Sequence, residues 1–167
     1  MKIAILYFSE TGNTEKMAGL VRDGVLKANR NIEVVLINLA KGEDVEASSI
    51  NDCSAVIFGT PCYVANMCWQ LHKFFDTRFD CKLEGKLAAC FATANYMWGG
   101  ADVAIMTVMQ HAMTRGMLAY ATGMEYGRPF IHLGPIALRD ELDSKAELFM
   151  LFGDRVAKKA LELFGDR

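Results

Sequence analysis

Six consecutive residues, Ser9-Glu10-Thr11-Gly12-Asn13-Thr14, put three hydroxyls and a glycine into one short loop. The loop follows an apolar run and precedes a helical pattern. A helix start offers backbone N–H groups with no partner inside the helix, at the positive end of its dipole. That makes an anion site, well suited to phosphate. Ser9, Thr11 and Thr14 add side-chain donors, and Gly12 allows close backbone approach or a positive φ. The loop holds no Lys or Arg, so a phosphate there meets neutral donors only. This suits an enclosed phosphate monoester better than an exchanging triphosphate. The triphosphate loop G-x-x-x-x-G-K-[ST] and the dinucleotide fingerprint G-x-G-x-x-G are both absent. The competing reading is an ordinary capped turn with Asn13 or Thr14 as the cap.

Two further segments carry flat or amide side chains. Residues 59–67 read GTPCYVANM. Pro61 lacks an N–H and stiffens the turn. Tyr63 is positioned to lie against an aromatic ring, and Asn66 either caps a helix or offers its amide to a heterocycle. The plainer reading is a strand-to-helix turn with an exposed tyrosine. Residues 93–100 read TANYMWGG. Tyr96 and Trp98 are stacking candidates, and Gly99-Gly100 permits close approach or a left-handed turn. The plainer reading there is an aromatic-lined surface turn.

The elements that must position these loops alternate along the chain. Apolar runs at 2–8, 32–39, 55–59, 86–93 and 117–122 read as strands. They lack polar alternation, which points to a parallel sheet covered on both faces. Helical spacing occupies 14–29, with Met17, Leu20, Val21, Val25 and Ala28 on one face. It recurs at 66–76, with Met67, Leu71, Phe74 and Phe75 inward, and at 101–115 and 144–164. The last begins with a capping-box pattern, Ser144-Lys145-Ala146-Glu147. Residues 41–52 are polar, with one helical turn near 48–52, and 128–137 are extended around two prolines. The expected fold is α/β: a doubly wound five-stranded parallel sheet with helices on both faces, in one domain over 1–167. Ligands in such folds bind at the carboxyl ends of the strands, where all three loops fall.

Ser9-x-Thr11-Gly12-x-Thr14 resembles the FMN-phosphate loop of flavodoxins and flavodoxin-like reductases. The stretch GTPCYVANMCWQLHKFFD is similar to the G-T-P-x-Y-x-x-N-M-x-x-Q-L-K-x-F-x-D signature of flavodoxin-fold NAD(P)H-dependent oxidoreductases, with His72 where Lys is usual. The resemblance covers residues 1 to about 137. It looks closest to NAD(P)H-dependent FMN reductases and tryptophan-repressor-binding-protein-like quinone reductases, although the insertions of the latter are short here. It implies non-covalent FMN, with Ser9, Thr11, Gly12, Asn13 and Thr14 at the phosphate. Thr60, Pro61, Cys62, Tyr63, Asn66 and Met67 would pack around the isoalloxazine ring, and residues 70–76 would be structural. A third loop ending in Gly-Gly also belongs to the family pattern, usually followed by Glu. Here Ala101-Asp102 follows. Thr93, Asn95, Tyr96, Trp98, Gly99 and Gly100 are candidates there, and an electron-rich Tyr96 or Trp98 ring would disfavour a negatively charged reduced flavin.

The implied function is an FMN oxidoreductase passing electrons from NAD(P)H to a quinone, flavin or other small acceptor. The alternative is a flavodoxin-type carrier between redox partner proteins. No residue is assigned a catalytic role, because the flavin carries the chemistry. Carriers are usually strongly acidic, whereas the net charge here is −2. No basic patch argues for nucleic acid or an anionic membrane as partner, and Arg128 is the one candidate to read a 2′-phosphate. The five cysteines lack C-x-x-C spacing. No metal site is expected, since His72, His111 and His132 form no ligand spacing. No run reaches ~18 apolar residues, so a soluble cytoplasmic protein is expected. The 101–115 helix is apolar nearly all round, which suggests a homodimer or homotetramer interface.

Overall fold

The computed structural model describes residues 1–41 and 45–165. Of the polar stretch expected over 41–52, residues 42–44 lie outside those described. Strand β1 (Lys2–Tyr7) leads into helix α1 (Asn13–Ala28), then β2 (Glu33–Asn38) and a short α2 (Ser48–Asn51). Strand β3 (Ala55–Tyr63) turns into a two-residue β4 (Asn66–Met67), followed by α3 (Trp69–Thr77), β5 (Leu87–Ala94) and α4 (Ala101–Thr114). Strands β6 (Leu118–Ala119) and β7 (Ile136–Leu138) precede α5 (Ala146–Phe164).

The sheet order is β2-β1-β3-β5-β6, parallel throughout, with β7 also paired to β5. This is the doubly wound parallel sheet that the apolar runs imply. Alternate side chains of each strand enter opposite cores. Ala4, Leu6, Val56, Phe58 and Cys90 pack with Leu71, Phe75, Ile105 and Val108 from α3 and α4. Ile3, Ile5, Ile57, Ala89 and Phe91 pack with Met17, Val21, Phe149 and Phe152 from α1 and α5. A strand buried on both faces has no polar side to display, so its sequence shows no alternation.

Three local expectations are corrected. The fifth strand, expected over 117–122, is two pieces: β6 pairs with Leu87–Ala88 and β7 with Ala92–Ala94. The chain leaves the sheet after Tyr120 N–H bonds the Ala88 carbonyl, and returns where Ala92 N–H bonds the Pro135 carbonyl. The excursion is held down on α5. Arg155, nearly fully buried, donates to the Pro129 and Gly127 carbonyls, and Lys159 pairs with Glu125 at 2.7 Å. Next, the helix expected over 66–76 starts at Trp69, because Asn66 and Met67 pair antiparallel with Tyr63 and Cys62. The Ser144 capping box does not form: α5 begins at Ala146, and the Ser144 hydroxyl donates back to the Glu141 carbonyl. Helix α4 has one face buried in the chain and one exposed. Ala104, Ile105, Val108 and Ala112 face the core, while Asp102, Val103, Gln110 and Met113 are exposed.

Among the described residues no helix is long and apolar enough to cross a membrane.

Candidate functional site

The three loops meet at the carboxyl ends of β1, β3 and β5 around a cavity of about 290 Å³. From the first loop, Ser9, Glu10, Thr11, Asn13 and Thr14 line it. Pro61, Cys62 and Tyr63 come from the end of β3, and Thr93, Ala94 and Asn95 from the end of β5. Nine of the residues singled out in the sequence are thus brought together by strands that run side by side.

The first loop has the features of an anion cradle. Gly12 takes φ 91°, and no side chain caps α1, so the capped-turn reading with Asn13 or Thr14 does not hold. The Asn38 amide at the end of β2 clamps the Ser9 backbone. Ser9 N–H donates to its Oδ1 at 3.1 Å, and its Nδ2 donates to the Ser9 carbonyl at 3.3 Å. This steers the chain as it leaves β1. The Ser9 residue is 6% exposed, and its hydroxyl has no hydrogen-bond partner among the described residues. A buried hydroxyl left unpaired costs about 1–3 kcal/mol, so its retention in a loop aimed at a cavity points to a ligand atom. The Thr14 and Thr93 hydroxyls lie 2.8 Å apart and buried, joining the first loop to the third.

Sequence reasoning missed Arg139. It follows β7 and lines the cavity with Ser9 and Thr14, and its guanidinium has no hydrogen bond or ion pair among the described residues. The first loop itself holds no Lys or Arg, and Arg139 is the one cationic side chain among the residues that line the cavity. Its signal was hidden because β7 could not be located without the split in the fifth strand. Glu10 and Ala94, also unassigned in the sequence, line the same cavity.

The second loop is a hairpin whose tip, Val64-Ala65, takes positive φ at both residues (51° and 56°). Thr60 is fully buried and its hydroxyl is used internally, donating to the Pro61 carbonyl and accepting from Cys68 N–H. The Asn66 side chain accepts from Met67 N–H, so it caps no helix. Tyr63 stands edge-on to Phe8, with centroids 6.4 Å apart. Burial, with Glu10 adding to it, raises the Tyr63 phenol above its ordinary value. Cys62 donates its S–H to the Gly99 carbonyl, and burial pushes this thiol up as well, so it is poorly suited to act as a nucleophile near neutral pH.

Beyond Asn95 the third loop leans on the hairpin. A Cβ at Gly100 would come within 2.7 Å of the Ala65 Cβ, which explains the glycine pair. Tyr96, Met97 and Trp98 are exposed, as is Val64 at the hairpin tip. Gly12, Thr60, Asn66, Met67, Tyr96, Trp98, Gly99 and Gly100 do not line the cavity itself. Arg128 and His132 lie exposed in the excursion between β6 and β7, also off the cavity lining.

Known proteins resemble this chain in sequence and fold. The family described as Flavodoxin matches residues 5–117. A flavodoxin of Clostridium saccharobutylicum is 42% identical, over 98% of this chain and 100% of its own length. An NAD(P)H dehydrogenase (quinone) of Caulobacter vibrioides is 26% identical over 84% of this chain and 77% of its own. The crystal structure of a flavodoxin, WrbA-like protein from Agrobacterium tumefaciens superimposes with a TM-score of 0.75. It covers 96% of this chain and 98% of its own at 23% identity, a likeness of fold.

Proposed function

The chain belongs to the flavodoxin family of FMN-binding redox proteins, and we propose that it is an electron carrier that docks redox partner proteins at the mouth of its FMN site. The residues present fit the cofactor. The unpartnered Ser9 hydroxyl, Thr11, Thr14 and the uncapped start of α1 would hold the phosphate, with Arg139 supplying the positive charge. Pro61, Cys62, Tyr63 and Asn95 would border the ring. Bound FMN would supply one- and two-electron redox chemistry there. The protein's part is to hold it, fix its orientation and limit which of its atoms meet solvent.

One observation carries the choice of carrier. Val64, Tyr96, Met97 and Trp98 are exposed apolar side chains on two loops that abut at Ala65 and Gly100 and whose strand-end residues line the cavity, with Val64 100% and Trp98 92% exposed. Aromatic residues and Met are enriched at protein interfaces, and a contiguous exposed apolar patch marks a contact surface. A partner seated there would lie against the cofactor. The full-length similarity to a flavodoxin supports the same reading, which we take over the NAD(P)H reductase expected from the sequence. The reductase reading keeps support from the quinone dehydrogenase relatives. In it, NAD(P)H donates to FMN and a quinone or free flavin accepts.

The test is an anaerobic absorbance record of the FMN-loaded protein mixed with NADH or NADPH. A carrier stays oxidised until a separate flavoprotein reductase is added. Bleaching by the nucleotide alone at about 1 s⁻¹ or faster, within the range of enzyme turnover, would overturn the carrier reading in favour of the reductase.

A further inference from the structure

Helices α3 and α4 bring together three metal-ligating side chains that no spacing in the sequence joins. His72 and Asp76 lie one turn apart on α3, with His72 Nδ1 3.0 Å from Asp76 Oδ2. His111 comes from α4, its ring centroid 4.8 Å from that of His72. One donor atom from each of the three lies within 4.8 Å of the other two. We infer that His72, Asp76 and His111 form a binding site for a divalent transition-metal ion of the zinc class, with a coordination position left open to solvent.

Three features beyond proximity support the site. The first is orientation. His111 Nδ1 lies 2.8 Å from the Thr107 carbonyl, which fixes the proton on Nδ1 and leaves the Nε2 lone pair free. Metal-ligating histidines are usually held in this way, by a backbone carbonyl on the other ring nitrogen. The ring is also packed at 5.4 Å from Phe75, so little conformational freedom remains to be lost on binding.

The second is reach. Donors about 2.0–2.1 Å from a tetrahedral ion stand roughly 3.3 Å from one another. The present separations need only a modest side-chain adjustment, and His72 and Asp76 are free to make it, with side chains 51% and 57% exposed. The third is chemistry. Two imidazoles and a carboxylate select zinc-like ions over calcium or magnesium, which prefer oxygen alone. Three protein ligands leave a fourth position for water or for a donor from another molecule. An ion there would tie α3 to α4, the helices that follow the second and third loops. The inference stands apart from the FMN reading, since the site shares no residue with the cavity.

Zinc chloride titrated into the FMN-loaded full chain, followed by calorimetry, is the direct test. One ion should bind per chain, and Asp76→Asn and His111→Gln should each weaken binding at least tenfold, as loss of a ligand or its support does. Cobalt substitution should give ligand-field bands without a thiolate charge-transfer band. Both variants should keep FMN affinity within about twofold of the parent, which separates loss of the site from loss of the fold. Failure to take up zinc saturably, binding that survives both substitutions, or a thiolate signature from cobalt would overturn the site.

Discussion

Replacing Ser9 by Ala separates a ligand-binding hydroxyl from a structural one, because the two roles predict opposite signs. The Ser9 hydroxyl is buried and has no partner among the described residues, while the backbone at Ser9 is held independently by Asn38. Removing the oxygen from the empty protein deletes an unpaired polar atom and leaves that clamp intact. An unsatisfied buried hydroxyl costs about 1–3 kcal/mol, so the apoprotein should gain up to about 1 kcal/mol. For a domain of this size that is roughly 2–4 °C in Tm. With FMN the sign reverses. A hydrogen bond to a charged phosphate contributes about 1.5–3 kcal/mol, equivalent to a Kd weakened about 10- to 150-fold. Flavin fluorescence quenching gives the Kd, and thermal unfolding of the apoprotein gives its stability. Riboflavin, which lacks the phosphate, should bind parent and variant equally. An apoprotein that melts lower, together with equal losses for FMN and riboflavin, would refute the assignment and make Ser9 a structural residue.

Arg139→Gln should weaken FMN about fivefold, near 1 kcal/mol, the upper end for an exposed charge pair. Riboflavin binding should not change, and the difference should shrink with added salt. An unchanged ratio of the two affinities would remove Arg139 from the phosphate site. Gly24→Ala and Gly153→Ala test the α1–α5 contact: the new Cβ atoms would come within 1.9 Å of the Met150 carbonyl and 2.1 Å of the Val21 carbonyl. Alanine gains about 1 kcal/mol in helix propensity, but parting two helix backbones should cost more. Each variant should melt about 4–8 °C lower, a net loss near 2 kcal/mol, and a rise in Tm would contradict the packing. The Cys62 thiol, raised by burial, holds less thiolate at any given pH than free cysteine. Iodoacetamide should therefore modify it slowly at pH 7.5 and faster as pH climbs beyond the ordinary thiol value near ~8.5. FMN should protect it, and mass spectrometry of the alkylated peptide reads both effects.

The sheet was legible because burial on both faces writes continuous apolar runs, and β1, β2, β3 and β5 were placed within a few residues. The fifth strand was not. Its two pieces are only two and three residues long, shorter than any periodicity can register. The pairing that makes them strands is with β5, not with each other. The start of α3 was misplaced for a related reason. Asn66 and Met67 carry a helical pattern forward, yet hydrogen bonding back to Cys62 and Tyr63 takes them into a hairpin. Its tip places a β-branched Val64 at positive φ, a conformation that local propensity argues against.

The candidate site divides along the same line. Ser9, Tyr63 and Asn95 were readable because each sits at or just past the end of a strand that the sequence announces, and Thr14 because it opens the helix that follows β1; a parallel sheet sends all such ends to one edge. Arg139 obeys the same geometry, since Leu138 pairs with Ala94 and the next residue must emerge beside Asn95. It escaped notice only because β7 did. The His72, Asp76 and His111 cluster is different in kind. Each helix face is an ordinary exposed surface, and the donors converge only through the packing of α3 beside α4. Strand-end chemistry can be read once the strand order is known, whereas chemistry shared between two helix faces depends on their rotation and needs coordinates. If zinc binds as inferred, the second and third loops are joined twice. One link is at their tips, through Cys62, Gly99 and the Ala65–Gly100 contact, and the other is one helix further on, through the ion. A ligand felt at the cavity and an ion held between α3 and α4 would then act on the same pair of elements. FMN affinity measured with and without zinc should differ, and the difference should vanish in Asp76→Asn.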